Sequence, residues 1–158
     1  MANAYPTGWV TFCDDVRHEV GGKRSLIGIY SNVMYVNASF PVTLPKFAIV
    51  VSWLDRIEGA ANARKIIVNL PGDKPEEASI SVDLPPHDTL QHSLPTKNAL
   101  GEPASETIMN FELITSPIEI KEPGKIRVAV LVDDKEIELG KLLVTNPTAA
   151  QSPEAQPE

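Results

Sequence analysis

The sequence predicts an all-β protein: a single-domain antiparallel β-sandwich of about nine short strands, of immunoglobulin-like or similar topology, with little or no helix. Three observations carry the prediction. Fourteen prolines in 158 residues cut the chain into pieces too short for long helices. Within those pieces apolar residues alternate in direction: Ala78, Ile80, Val82 and Leu84 interleave with Ser79, Ser81 and Asp83, and Ile126, Val128, Val130 and Val132 share a face opposite Arg127, Ala129 and Leu131. The run KFAIVVSWL, residues 46–54, is instead almost continuously apolar, as a central strand covered on both faces would be.

Taken in order, the same patterning places strands at 9–20, 23–30, 33–36, 46–54, 63–70, 77–84, 107–114, 125–132 and 136–144. Gly21-Gly22 suits a two-residue primed turn between the first two. That turn predicts a register in which Val20 faces Lys23, Glu19 faces Arg24 and Val16 faces Ile27. DRIEGAAN, 55–62, reads as a loop because Gly59 and its short length disfavour a helix. The last two strands are joined by Asp133-Asp134-Lys135, and the phase change from Ile137 and Leu139 to Leu142 and Val144 calls for a β-bulge at Gly140-Lys141. Residues 85–106 form a long proline-rich loop. The domain is expected to span 9–144, after an N-terminal extension at 1–8. The stretch from 145 to 158 lacks large apolar residues after Val144 and is expected to be a disordered acidic tail.

Composition narrows the functions. A net charge of −7 argues against a sequence-independent grip on nucleic acid, which needs Lys and Arg gathered on one face. No window approaches the ~20 apolar residues of a membrane helix, and MANAYPTGWV lacks the basic and apolar regions of a secretory signal, so a cytoplasmic protein is expected. Cys13 is the only cysteine, which rules out an intramolecular disulfide and any multi-cysteine zinc site. The common signatures of phosphate, dinucleotide, acyl and zinc chemistry are absent.

The densest polar cluster is FCDDVRHEVGGKRSLIGIY, 12–30. Asp14, Asp15, Arg17 and Glu19 are the candidate binding residues, with Asp14 and Asp15 as potential cation ligands. Yet adjacent strand residues point to opposite faces, and calcium asks for about 6 to 8 oxygens. Asp133 and Asp134 would help only if the last hairpin folded beside the first. The acids Asp14, Asp15 and Glu19 are balanced by Arg17, Lys23 and Arg24, so a self-satisfying charge network on a hairpin is the favoured reading, with Glu19 paired to Arg24. Its unresolved member is Asp14, which this register puts on the face of Val16 and Ile29. Cys13 reads as a small buried hydrophobe, since His18, the nearest base, lies on the other face of a regular strand. His87 and His92 read as solvated loop residues, and Trp9, Trp53, Phe40 and Phe47 as core. No catalytic residue, metal or cofactor is assigned.

FCDDVR, GGKRSLIGIY and FPVTLPKF, together with PGKIRVAVLVDDKEIELGKLLV near the end, resemble a bacterial family of unknown function. In that family such a first hairpin precedes a proline-marked loop and a long apolar strand. The resemblance covers 12–54 and 123–144. It implies a bacterial or phage origin and one β-rich domain, and it brings no activity. The expected function is therefore a non-catalytic interaction or accessory module. Its partner would be another protein, or a second copy, met through sheet edges or the 85–106 loop. The alternative is a small-molecule or cation-binding domain using the acidic residues near Asp14 and Asp15.

Overall fold

The computed structural model describes residues 6–57, 63–74, 76–85 and 97–147. They form twelve strands: β1 (Thr7–Cys13), β2 (Asp15–His18), β3 (Arg24–Ile27), β4 (Val33–Tyr35), β5 (Val42–Leu44), β6 (Phe47–Arg56), β7 (Arg64–Asn69), β8 (Ile80–Asp83), β9 (Glu106–Thr115), β10 (Ile118–Ile120), β11 (Gly124–Val132) and β12 (Lys135–Thr145). A three-stranded sheet, β1-β6-β9, faces a five-stranded sheet, β4-β12-β11-β7-β8, and two small ribbons, β2-β3 and β5-β10, account for the other strands among the described residues.

The core lies between the two large sheets. Phe47, Ile49, Val51 and Trp53 of β6 meet Ile66 and Val68 of β7, Ile126, Val128 and Val130 of β11, and Leu142 and Val144 of β12, all fully buried. Fully burying side chains of this size stabilises the fold by about 1.5–3 kcal/mol each before entropy is counted. The alternation of β11 and β8 falls as predicted: Ile126, Val128, Val130 and Val132 are buried, and Ser81 and Asp83 are exposed. β6 is covered on both faces from Phe47 to Trp53, because Ala48, Val50 and Ser52 on the outer side are also buried.

The structure corrects the predicted elements in several places. The strand expected at 9–20 breaks at Asp14, where the chain leaves the three-stranded sheet and starts the β2-β3 ribbon. Two three-residue strands, β5 and β10, pair with each other where only connecting segments were expected, since they are too short to show a period. Edge strand β4 runs parallel to β12, a pairing between segments remote in sequence that no local pattern announces. The last strand reaches Thr145 and the first begins at Thr7, beyond the expected domain limits at both ends. Of the predicted 85–106 loop, 85 and 97–106 are described, with Glu106 already in β9: Lys97 bridges Pro103, and the Asn98 side chain accepts the N–H groups of Leu100 and Glu102 at 2.9 and 3.0 Å. Residues 86–96 of that loop, with His87 and His92, and the expected tail beyond Pro147 lie outside the described residues.

The bulge in β12 is present, one residue earlier than expected. Val128 pairs with Gly140 and Ala129 with Glu138, so Leu139 is the extra residue. The two sheets come close beside it: a Cβ on Gly140 would stand 2.7 Å from Val10, and one on Gly8 would stand 2.6 Å from the Ser52 carbonyl oxygen and 3.3 Å from Leu139. Glycine at both positions lets β1 cross β12. The turn falls where turn-forming residues were expected but is one residue shorter: Asp133 and Asp134 alone make it, with positive φ at both, and β12 starts at Lys135 opposite Val132 instead of at 136.

Candidate functional site

The polar cluster at 12–30 is built on a hairpin whose register differs by one residue from the predicted one. Glu19 N–H donates to the Lys23 carbonyl at 2.8 Å, so the loop is three residues long, Val20-Gly21-Gly22, with φ of 79° and 73° at the glycines. Val16 then faces Leu26 and His18 faces Arg24. The physical reason is apolar pairing. This register puts Val16 and Leu26 side by side over Cys13, Ala48 and Val50, whereas the predicted one would have set Arg17 against Leu26. The ribbon thus folds down as a flap over one half of the outer face of the three-stranded sheet, and Cys13, fully buried, is the floor beneath it. Burial, with help from the Asp14 charge, pushes its thiol pKa up, so it is a packing group rather than a ready nucleophile.

The charges on the flap are satisfied mostly by the sheet, not within the hairpin. Glu112 of β9 is 2.9 Å from His18 Nε2 and 3.0 Å from Arg24 Nη1, which replaces the expected Glu19–Arg24 pair. Glu19 instead accepts the Ser25 hydroxyl at 3.0 Å. Asp15 pairs with Lys46, accepts its neighbour Val16 N–H at 2.7 Å, and lies 4.0 Å from Arg17; the Lys46 hydrogen bond holds its carboxyl below the usual range. Asp14 sits exposed at the break between β1 and β2, with its N–H on the Ile27 carbonyl at 2.9 Å, and its carboxylate accepts the Tyr30 hydroxyl. Burial and the adjacent Asp14 push Tyr30 up to about 12. Asp14, Asp15, Arg17 and Glu19 therefore do not converge: Asp14 turns to Tyr30, Asp15 to Lys46, and Glu19 to Ser25. Among the described residues no three His, Cys, Asp or Glu side chains gather as a metal site would require.

Asp133 and Asp134 are at the opposite end of the sandwich. Asp133 accepts the Ala63 N–H at 3.3 Å beside the start of β7, while Cys13 pairs with Ala48 at the start of β6. The eight residue steps along β6 from Phe47 to Asp55 separate the two ends by about 25 Å.

That far end holds a feature the sequence did not announce. Asp55 and Arg64, one from each sheet, form a buried ion pair at 2.9 Å, and the Trp53 indole N–H donates to the same Asp55 oxygen at 3.3 Å. Arg64 Nε and Nη2 have no hydrogen-bond partner among the described residues. An open cleft of about 600 Å³ adjoins the pair, lined by Arg64, Lys65, Asp83, Leu84, Asp133 and Asp134. Asp55, expected to open the loop at 55–62, belongs to β6, which runs on to Arg56; its place two residues after Trp53 puts it on the same strand face.

The flap leaves the other half of the outer face open. There Trp9, 48% exposed, faces Ser52, which faces Asn110, and the Ser52 hydroxyl donates to Asn110 Oδ1 at 2.8 Å. The next row is Thr7, Leu54 and Ile108, with Ile108 55% exposed. Trp9 is thus not core, in contrast to Trp53 and Phe47, because its place in β1 points it away from the second sheet. β9 ends the three-stranded sheet: it pairs with β6 along all ten residues and, among the described residues, with no strand on its other side.

Fold and surface together define a two-layer β-sandwich with one outer face half capped by its own hairpin and a long open strand at the edge of that face. The chain belongs to a family of unknown function, DUF6941, whose model matches residues 8–145. No curated protein and no solved structure matches it.

Proposed function

We propose that this chain is a non-catalytic interaction or accessory module of the cytoplasm that works through its surface, with the β9 edge as the contact. The single observation that carries the reading is the length and character of that edge. From Thr107 to Thr115, alternate residues turn their backbone donors and acceptors away from β6, to a side that no strand among the described residues pairs, and the outward side chains include Ile108 and Ile114, 55% and 45% exposed. Natural proteins usually blunt such an edge with lysine, proline or a bulge, and β9 has none of these. A partner strand added there gains main-chain hydrogen bonds and apolar contacts together. The other edges are less suited: β4 and β8 have three and four residues, and β1 crosses β12.

The test compares proteins captured from the native cell by the wild-type chain and by Ile108→Lys. Support requires a captured protein that binds again when purified, loses affinity for the variant, and slows hydrogen exchange of β9 amides. Binding that is indifferent to Ile108→Lys and leaves β9 exchange unchanged would sink the reading. The competing account, cation binding at Asp14 and Asp15, predicts a calcium-induced rise in Tm that Asp15→Asn abolishes. Lys46 and Tyr30 already occupying those carboxylates speaks against it.

A further inference from the structure

Resting on the reading of β9 as the contact edge, the geometry points to a second copy of this chain as its occupant. The two β9 strands would pair antiparallel about a two-fold axis at Phe111 and fuse two three-stranded sheets into one of six. What singles out this partner is that β9, ETIMNFELIT, is chemically palindromic about Phe111. A two-fold axis there puts residue 111 minus k of one copy opposite residue 111 plus k of the other. Thr107 then meets Thr115, Ile108 meets Ile114, Met109 meets Leu113, and Asn110 meets Glu112. Every residue pair is matched in size or in hydrogen-bonding character, and no charge faces its like.

Neighbouring registers lack this property. Centring the axis on Glu112 would set the two Glu112 carboxylates against each other, and centring it on Asn110 would set Ile108 against Glu112. The alternation of the strand agrees with the same solution. Ile108, Asn110, Glu112 and Ile114 all stand on the outer face, opposite the outward β6 residues Leu54, Ser52, Val50 and Ala48. The two exposed isoleucines of each copy would therefore cover those of the other. Glu112 is held from its own chain by Arg24 and His18, so its charge is already balanced when the Asn110 amide of the second copy approaches.

The experiment is sedimentation velocity of the full chain across a micromolar to submillimolar dilution series, with two double variants. The wild type is expected to reach twice the 17.2 kDa chain mass. I108K/I114K places lysine opposite lysine twice per dimer and is expected to weaken association roughly 30-fold. I108K/I114E places the introduced lysine of each copy opposite the introduced glutamate of the other and is expected to restore it. Within one strand those two positions are about 20 Å apart, so the rescue requires pairing between copies. Far-UV circular dichroism and Tm establish that both variants fold, as the exposure of the two isoleucines leads one to expect. A wild type that stays monomeric throughout overturns the dimer, while Ile108-dependent capture of a different protein would still uphold β9 as a contact edge. A dimer that both double variants leave untouched, or that the charge swap fails to restore, overturns the β9 pairing.

Discussion

Tyr30, whose hydroxyl is held by Asp14, and the Asp55–Arg64 pair, buried between the two sheets, are the polar residues on which single substitutions should tell most. Tyr30 donates to Asp14 and is partly buried, so its hydroxyl keeps its proton up to about pH 12. Because this pKa is raised above its unfolded value, the stabilisation is complete below about pH 10 and is lost as pH rises through about 12. Absorbance titration at 295 nm should show one tyrosine ionising late, and Tyr30→Phe should remove that late step. A late step that survives in Tyr30→Phe would contradict the assignment. For the buried pair, Asp55→Ala leaves the Arg64 charge enclosed without its counterion, and the expected loss is about 3–5 kcal/mol in urea unfolding. Replacing both by apolar residues of similar volume should cost much less, because no charge then remains to be desolvated. The two variants measured side by side separate lost attraction from stranded charge.

At the scale of elements, the flap and the crossing of the sheets are the features that a change should damage. Leu26 and Val16 are the apolar side of the flap, and Leu26→Ala should cost about 2–3 kcal/mol while raising the reactivity of Cys13 toward a thiol reagent. Unchanged Cys13 labelling in that variant would mean that the flap does not seal the face. At the crossing, Gly8→Ala drives a methyl group to 2.6 Å from the Ser52 carbonyl oxygen, a backbone atom unable to turn aside. A loss of about 1–3 kcal/mol in chemical denaturation is expected. Register at this scale was only partly legible. The place of the last turn was readable because Asp133, Asp134 and Lys135 stand between two alternating runs, although the turn is one residue shorter than expected, whereas Val20-Gly21-Gly22 admits loops of two or three residues. The selection between them was made by Ala48 and Val50, more than twenty residues away, which reward the register that brings Val16 and Leu26 together.

Over the whole molecule, the carboxylates that neighbouring cations hold low set the response to acid. Asp15 is lowered by Lys46, and Glu138 by Lys141 and Arg127. Depressed folded values mean that their contribution is present above the ordinary carboxylate range and is lost as pH falls through the lower folded pKa. Tm measured against pH should therefore fall on the acid side, and Asp15→Asn with Glu138→Gln should flatten that limb. An acid limb of the same steepness in the double variant would place the effect elsewhere. Most of this pairing lies on exposed surface, so added salt should shrink the difference.

Much of the molecule follows from the sequence alone. Strand periodicity identified the buried faces of β8, β11 and β6 up to Trp53, and the phase change near Gly140 announced a bulge within one residue of its place, because alternation depends only on local order along the chain. The near-palindrome of β9 is likewise written in the residues. Only the tertiary structure decided what those strands meet: that β4 joins β12 in parallel, that Trp9 faces outward while Trp53 is buried, that Asp55 reaches Arg64 across the sandwich, and that the hairpin charges go to Lys46 and Glu112. Partners remote in sequence are chosen by the packing of whole sheets, where the burial of a few apolar groups outweighs the local preferences of any one turn or ion pair.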